Sequence, residues 1–130
     1  MKITQLARVG QLNRGADSNE LIALEQQLGY TIPSEHKVLL QMANGFTLEN
    51  GVFIYSSSEL FERNSTFEVD RYSPGYIAIG DDSGGRSILI AREKAGVFLV
   101  DQGSMDPDEF ELISQTLSIW LSDSCSLRAR

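Results

Sequence analysis

Three short apolar runs separated by tight turns constrain this chain more than any other feature. Tyr76 to Gly80, Ser87 to Ala91 and Val97 to Val100 are almost continuously hydrophobic. Between them stand Asp81-Asp82-Ser83-Gly84-Gly85-Arg86 and Glu93-Lys94-Ala95-Gly96, compositions that reverse a chain rather than extend it. Apolar runs of this length bounded by turn residues predict a meander of strands, and their near-uniform hydrophobicity predicts central strands covered on much of both faces.

An earlier stretch adds a hairpin. Phe46 to Glu49 pairs with Val52 to Tyr55 across Asn50-Gly51, the dipeptide that a type I′ turn prefers. Helices precede it. Asp17 caps a first helix from about Asn19 to Leu28, with Glu20 closing a capping box, Leu21, Leu24 and Leu28 on the inner stripe, and Gly29 as the left-handed stop. Thr31-Ile32-Pro33 is extended, because the residue before proline avoids the helical region. Ser34 then caps a second helix from about Glu35 to Ala43, which turns Val38, Leu39 and Met42 inward and ends at Asn44-Gly45. Ahead of both, Ile3, Leu6, Val9 and Leu12 form a loose helical face or an irregular arm.

After the hairpin, Ser56 to Asn64 holds a short helix anchored by Leu60 and Phe61, and Ser65 to Gly75 is a loop with a short strand around Phe67 to Val69. Ile113, Leu117, Trp120 and Leu121 recur at helical spacing, so a last helix runs from about Asp108 to Ser122, with a frayed tail from Asp123. The order predicts an α+β fold. A mostly antiparallel sheet (hairpin plus meander) packs with two N-terminal helices and one C-terminal helix. With 130 residues the chain is sized for one domain, residues 1–130 with a core of about 17–122, and needs no metal or disulfide staple.

Charge narrows the partners. The chain carries 18 acidic and 11 basic residues, a net charge of −7, which disfavours nucleic acid and anionic membranes and favours basic protein surfaces. No apolar leader or membrane-length run is visible, and one cysteine, Cys125, excludes an intrachain disulfide, so the expected location is the cytoplasm. The tripeptide Asn64-Ser65-Thr66 matches a glycosylation sequon, which has no role without a secretory route.

Several segments together resemble the SUKH superfamily. They are Leu24-Glu25 and Leu28-Gly29, Ile32-Pro33, Asn44-Gly45, then Ile77-Ala78-Ile79-Gly80-Asp81-Asp82-Ser83-Gly84-Gly85, Gly96-Val97-Phe98, and the segment from Ser114 to Leu121. Two positions depart from the family pattern: Arg86 follows the glycine pair where many relatives have Asn or Asp, and Leu117 stands where many have Phe. The resemblance implies a protein-binding fold rather than an enzyme. It points to a bacterial immunity protein that neutralises a toxin domain, often a nuclease, or to an intracellular adaptor of the kind linked to cell-wall synthesis.

The residues themselves offer little catalytic equipment. The single histidine, His36, sits in the first turn of the second helix, where the dipole favours a neutral imidazole, read as exposed. Cys125 has no histidine near it in sequence and is read as structurally idle. Asp81 and Asp82 invite comparison with a metal site, but adjacent carboxylates at a strand end point apart, and the glycines that follow belong to a turn. A metal-dependent enzyme using Asp81 and Asp82 is the third alternative. No cofactor and no metal is expected.

The candidate contact residues are Glu49, Tyr55, Tyr76, Asp81, Asp82, Arg86, Asp101 and Asp106, with Asp108, Glu109, Glu59 and Glu62 as extensions of the acidic surface. Trp120 belongs to the core stripe. The expected partner is a basic toxin domain bound by a monomer or weak homodimer.

Overall fold

The computed structural model describes residues 9–128. At its centre is a seven-stranded sheet whose strands lie side by side in chain order, every neighbouring pair antiparallel. The strands are β1 (Val9–Leu12), β2 (Phe46–Leu48), β3 (Phe53–Ile54), β4 (Tyr76–Asp81), β5 (Arg86–Ala91), β6 (Val97–Asp101) and β7 (Glu111–Ser114). Helices α1 (Ser18–Leu28) and α2 (Ser34–Met42) connect β1 to β2, α3 (Ser57–Thr66) and α4 (Val69–Tyr72) connect β3 to β4, and α5 (Leu117–Ser122) follows β7. The fold is α+β, with hairpin and meander merged into one sheet.

Local chemistry sets the helix ends. Asp17 accepts the Glu20 amide at 2.8 Å and Glu20 returns a carboxylate to the Asp17 amide at 3.1 Å, the expected capping box of α1. Gly29 ends the helix at φ 82°. Glu25 then reaches forward to the Ile32 amide at 2.8 Å and to Lys37 at 3.2 Å, which fixes the extended link into α2. Pro33 occupies the position before α2 and no side chain caps the helix, so the expected Ser34 cap is not made; Ser34 is the first helical residue.

The inner face of α2 differs from expectation. His36, Leu39, Leu40 and Ala43 are buried, whereas Val38 is 42% exposed and Met42 only partly covered. The preceding segment dictates this rotation: the Ala16 amide donates to the Leu40 carbonyl at 2.7 Å. Gly15 lies so close to Gln41 that a Cβ would sit 1.8 Å from its carbonyl oxygen. His36 is therefore fully buried rather than exposed. Its ring nitrogens have no hydrogen-bond partner, and desolvation lowers its pKa from 6.5 to about 4.

The sheet has two unequal faces. On one, Ile77, Ile79, Ile88, Ile90, Leu99 and Ile113 pack with Leu24, Leu39, Leu40, Leu60 and Trp120 into the main core. On the other, Ala78, Leu89 and Val100 meet Val69 and Met105 in a smaller cluster, with Phe67, Tyr76 and Phe110 at its margin. Where β3 stops, Asn64 of α3 takes its place. Its side chain accepts the Ala78 amide at 2.9 Å and donates to the Ala78 carbonyl at 3.0 Å, as a strand backbone would.

Other differences concern edges and turns. Ile3 and Leu6 lie outside the described residues, but Val9–Leu12 form an exposed edge strand on β2, not a helical face or an irregular arm. The β2–β3 turn is not type I′: Glu49 and Asn50 have no positive φ, Gly51 has φ 98°, and the Gly51 amide donates to the Leu48 carbonyl at 3.1 Å. This is a three-residue loop with glycine at the left-handed position. Phe61 is 45% exposed, because Leu60 alone turns inward from that pair. Val69–Tyr72 is a short helix where a strand is expected around Phe67 to Val69.

The expected helix from Asp108 to Ser122 is three pieces. Pro107–Glu109 is a 3-10 turn, Glu111–Ser114 is β7, and α5 starts only after Thr116, whose hydroxyl accepts the Ile119 amide at 3.0 Å. From Asp123 to Leu127 the tail is packed rather than frayed. The Cys125 amide donates to the Trp120 carbonyl at 2.8 Å and the Ser124 amide to Leu121 at 3.0 Å, a Schellman ending with Ser124 at φ 55°. Trp120 Nε1 donates to Ser126 at 2.9 Å. Cys125 lies in the core, where burial pushes its thiol up to about 12.

Candidate functional site

An antiparallel sheet in chain order puts alternate connections at the same end. The β2–β3 loop, the β4–β5 turn and the β6–β7 loop therefore share one end, and with them Glu49, Asp81, Asp82, Arg86, Asp101 and Asp106. Sequence distance between these residues is large; the fold removes it. Tyr76 is not among them. It opens β4 opposite Ala91, at the other end of the sheet, with the Lys94 ammonium 5.7 Å from its ring centre.

The β4–β5 turn is held by its own carboxylates. Asp82 accepts from the Gly84 amide at 2.8 Å, the Arg86 amide at 3.0 Å and Arg86 Nε at 2.8 Å. Partial burial works against its charge, but the Arg86 amide and guanidinium and the Gly84 amide outweigh that and hold its carboxyl below the usual range. Asp81 is used differently: its oxygens accept the Tyr55 hydroxyl at 2.8 Å and the Ser83 amide at 2.9 Å. The two adjacent carboxylates thus serve different partners, as their strand-end position requires. Among the described residues no group of three His, Cys, Asp or Glu side chains could hold a metal ion.

Tyr55 corrects the expectation of a contact residue. It is fully buried, and its phenol pKa is raised, first by desolvation and then by the bond to Asp81. It supports the acidic turn from below instead of meeting a partner. Tyr72, by contrast, is exposed, under the Arg71 guanidinium at 5.2 Å. Glu59 is taken by the α3 capping box and Glu62 pairs with Arg63, so these two are parts of α3 rather than free extensions of the rim.

Neighbouring loops are tied to the turn. Ser83, at φ 62°, donates its hydroxyl to the Gly51 carbonyl at 2.6 Å. Gly51 is needed at that contact, because a Cβ there would stand 2.8 Å from the Asp82 carbonyl. The Gln102 amide donates to Gly85 at 2.9 Å, and Asn50 Nδ2 donates to Cys125 at 3.1 Å. Within the β6–β7 loop, Asp101 accepts the Gly103 amide at 2.7 Å and Asp106 the Asp108 amide at 3.0 Å. Ser73 binds the Met105 carbonyl at 2.5 Å from beneath.

The result is a fixed anionic rim. Glu49, Asp101, Asp106, Asp108 and Glu109 are exposed. Arg86 is the only basic residue in the three loops, and it is paired with Asp82. A groove of about 370 Å³ opens between Arg86, Asp101, Glu109 and Glu111. Chemically the rim can attract and orient cations on a partner; within it the Ser104 hydroxyl donates to the Glu109 carboxylate. His36 and Cys125 are both enclosed in the protein.

Sequence reading named Tyr76 but missed the two rings that pack with it. On the smaller face of the sheet Tyr76 meets Phe98 and Phe110 edge-to-face, and Phe98 and Phe110 are tilted at 36° to each other, with ring centres 4.9 to 5.7 Å apart. The signal existed in the alternation of β6, where Val97 and Leu99 face the main core and Phe98 must face away. Assigning Phe110 to the last helix concealed its part.

Comparison with known proteins gives two findings. Residues 15–123 match the model of a family described as the SMI1 / KNR4 family (SUKH-1). The chain is also 30% identical over 115 residues to a protein of Bacillus subtilis (strain 168) described as "Uncharacterized protein YnaB", covering 86% of this chain and 78% of that protein.

Proposed function

The chain belongs to the SMI1 / KNR4 (SUKH-1) family, and from that premise we propose that it is a non-catalytic, cytoplasmic immunity protein that neutralises a cognate toxin by stoichiometric binding. Its family points to protein–protein interaction in general; the choice of a basic toxin domain as partner is our reading. One observation carries it: three loops from distant parts of the sequence converge at one end of the sheet with exposed carboxylates and a single, already neutralised cation. Such a rim raises encounter rates with a basic surface and fixes its orientation. No helix among the described residues is long and apolar enough to cross a membrane.

The direct test is the association rate with a toxin domain recovered by pull-down from the products of neighbouring genes. A variant carrying Asp101→Asn, Asp106→Asn and Asp108→Asn should associate about tenfold more slowly at low salt, and the difference should vanish at high salt. Several modest, salt-sensitive partners in place of one tight complex would move the assignment to an adaptor of the cell-wall-regulator type. Absence of any macromolecular partner at low salt would end both readings.

A further inference from the structure

The rings of Tyr76, Phe98 and Phe110 form a cluster that the main core does not use. Tyr76 meets Phe110 at 4.9 Å and 85°, and Phe98 at 5.7 Å and 87°. All three are half-buried, whereas the residues they border (Val69, Ala78, Leu89, Val100 and Met105) are enclosed. The smaller core is thus complete without covering the outer edges of the rings. Their placement is built in: Gly96, at φ 131°, leaves its Cβ direction open, and a Cβ there would stand 2.7 Å from the Phe98 ring. Any side chain at position 96 would push that ring out of the cluster.

The cluster meets the anionic rim at Phe110 and runs from there toward Tyr76, where the Lys94 ammonium stands 5.7 Å from the ring centre. Asp106, Asp108 and Glu109 lead directly into Phe110, whose amide closes the 3-10 turn on Pro107 at 3.2 Å. No basic residue stands between Asp101 and Phe110. Prearranged aromatic rings beside a charged rim have the character of an interface anchor, since little side-chain freedom is lost when they are covered.

We infer that Tyr76, Phe98 and Phe110 are the apolar anchor of the partner interface, and that its occupant is a basic protein surface presenting an aromatic side chain. This rests on the proposed function and adds the place where the complex is held once charge has brought it together. Charge complementarity at the Phe110 end selects the occupant: an aromatic side chain flanked by cations satisfies that ring and the carboxylates of Asp106, Asp108 and Glu109 beside it at once.

Two amidated pentapeptides serve as probes, one Lys-Arg-Trp-Lys-Arg and the other with serine in place of tryptophan. Each is titrated at low salt into isotope-labelled protein and followed by amide and aromatic NMR. Both should shift the amides of Asp106, Asp108 and Glu109. Only the tryptophan peptide should shift the rings of Tyr76, Phe98 and Phe110, and it should bind about fivefold tighter, the size expected of one aromatic contact. In Phe110→Ala, verified as folded by its amide spectrum, the preference should disappear while serine-peptide affinity stays the same. Equal affinities with unmoved rings, or a preference that survives Phe110→Ala, would overturn the anchor and leave the acidic rim standing. If neither peptide shifts the loop amides, the rim fails as a cation-binding surface and the anchor falls with it.

Discussion

One face of the sheet is sealed by aliphatic side chains and the other is finished with rings that stay partly in water. Ile77, Ile79, Ile88 and Leu99 on the first are enclosed beneath the helices. On the second, Ala78 and Leu89 are enclosed, but Tyr76, Phe98 and Phe110 only border them. The same strands supply both faces, residue by alternate residue. The first face therefore carries most of the stability, and the second has surface to spare for a partner.

Substitutions can break that division. Trp120→Ala should cost the most, about 4 kcal/mol, because it empties an enclosed site and orphans the Ser126 carbonyl. Chemical denaturation measures it, and a loss no greater than that of a half-buried ring would make the two faces equivalent.

Next comes acid. His36 lies on the sealed side with no hydrogen-bond partner for either ring nitrogen, and its pKa is lowered to about 4 in the folded protein against 6.5 unperturbed. The folded state binds its proton less readily than the unfolded chain. Its contribution is complete above about pH 6.5 and is lost as pH falls toward 4, amounting to about 3 kcal/mol. A His36→Leu variant should flatten that part of the stability–pH curve, and an unchanged slope would show that His36 is not its source.

The open face should respond less. Phe98→Ala is expected to cost about 1.5 kcal/mol, reduced from the full core value because the ring is only half-buried. The smallest effect is a gain. Ser124 holds the left-handed position that ends α5, at φ 55°, so Ser124→Gly should stabilise by about 0.5–1 kcal/mol. Thermal unfolding resolves both; a melting point lowered by Ser124→Gly would contradict the proposed helix ending.

How much of this was legible in the sequence depends on whether neighbours in sequence decide the structure. The capping box of Asp17 and Glu20 and the three apolar strands are local signals, and they are found where expected. The rotation of α2 is not local: Gly15 and Ala16 set it from outside the helix, which is why His36 is buried and Val38 exposed. β1 carries no buried alternation, and β7 was hidden because Ile113 shares helical spacing with Leu117 and Trp120. The acidic residues of the rim were readable one by one. Their meeting at one end was not, because it follows from strand order. Tyr55 shows the reverse error, a residue with interface chemistry spent on holding Asp81.

The strand-like grip of Asn64 has a practical consequence for anyone producing this protein. Both amide hydrogens of Asn64 are engaged, one by Leu60 and one by Ala78. A sugar joined to that nitrogen removes one of them and places a bulky group between α3 and β4. Passage through a glycosylating export system therefore sets carbohydrate attachment against native folding, and a host that leaves this asparagine unmodified is the compatible choice.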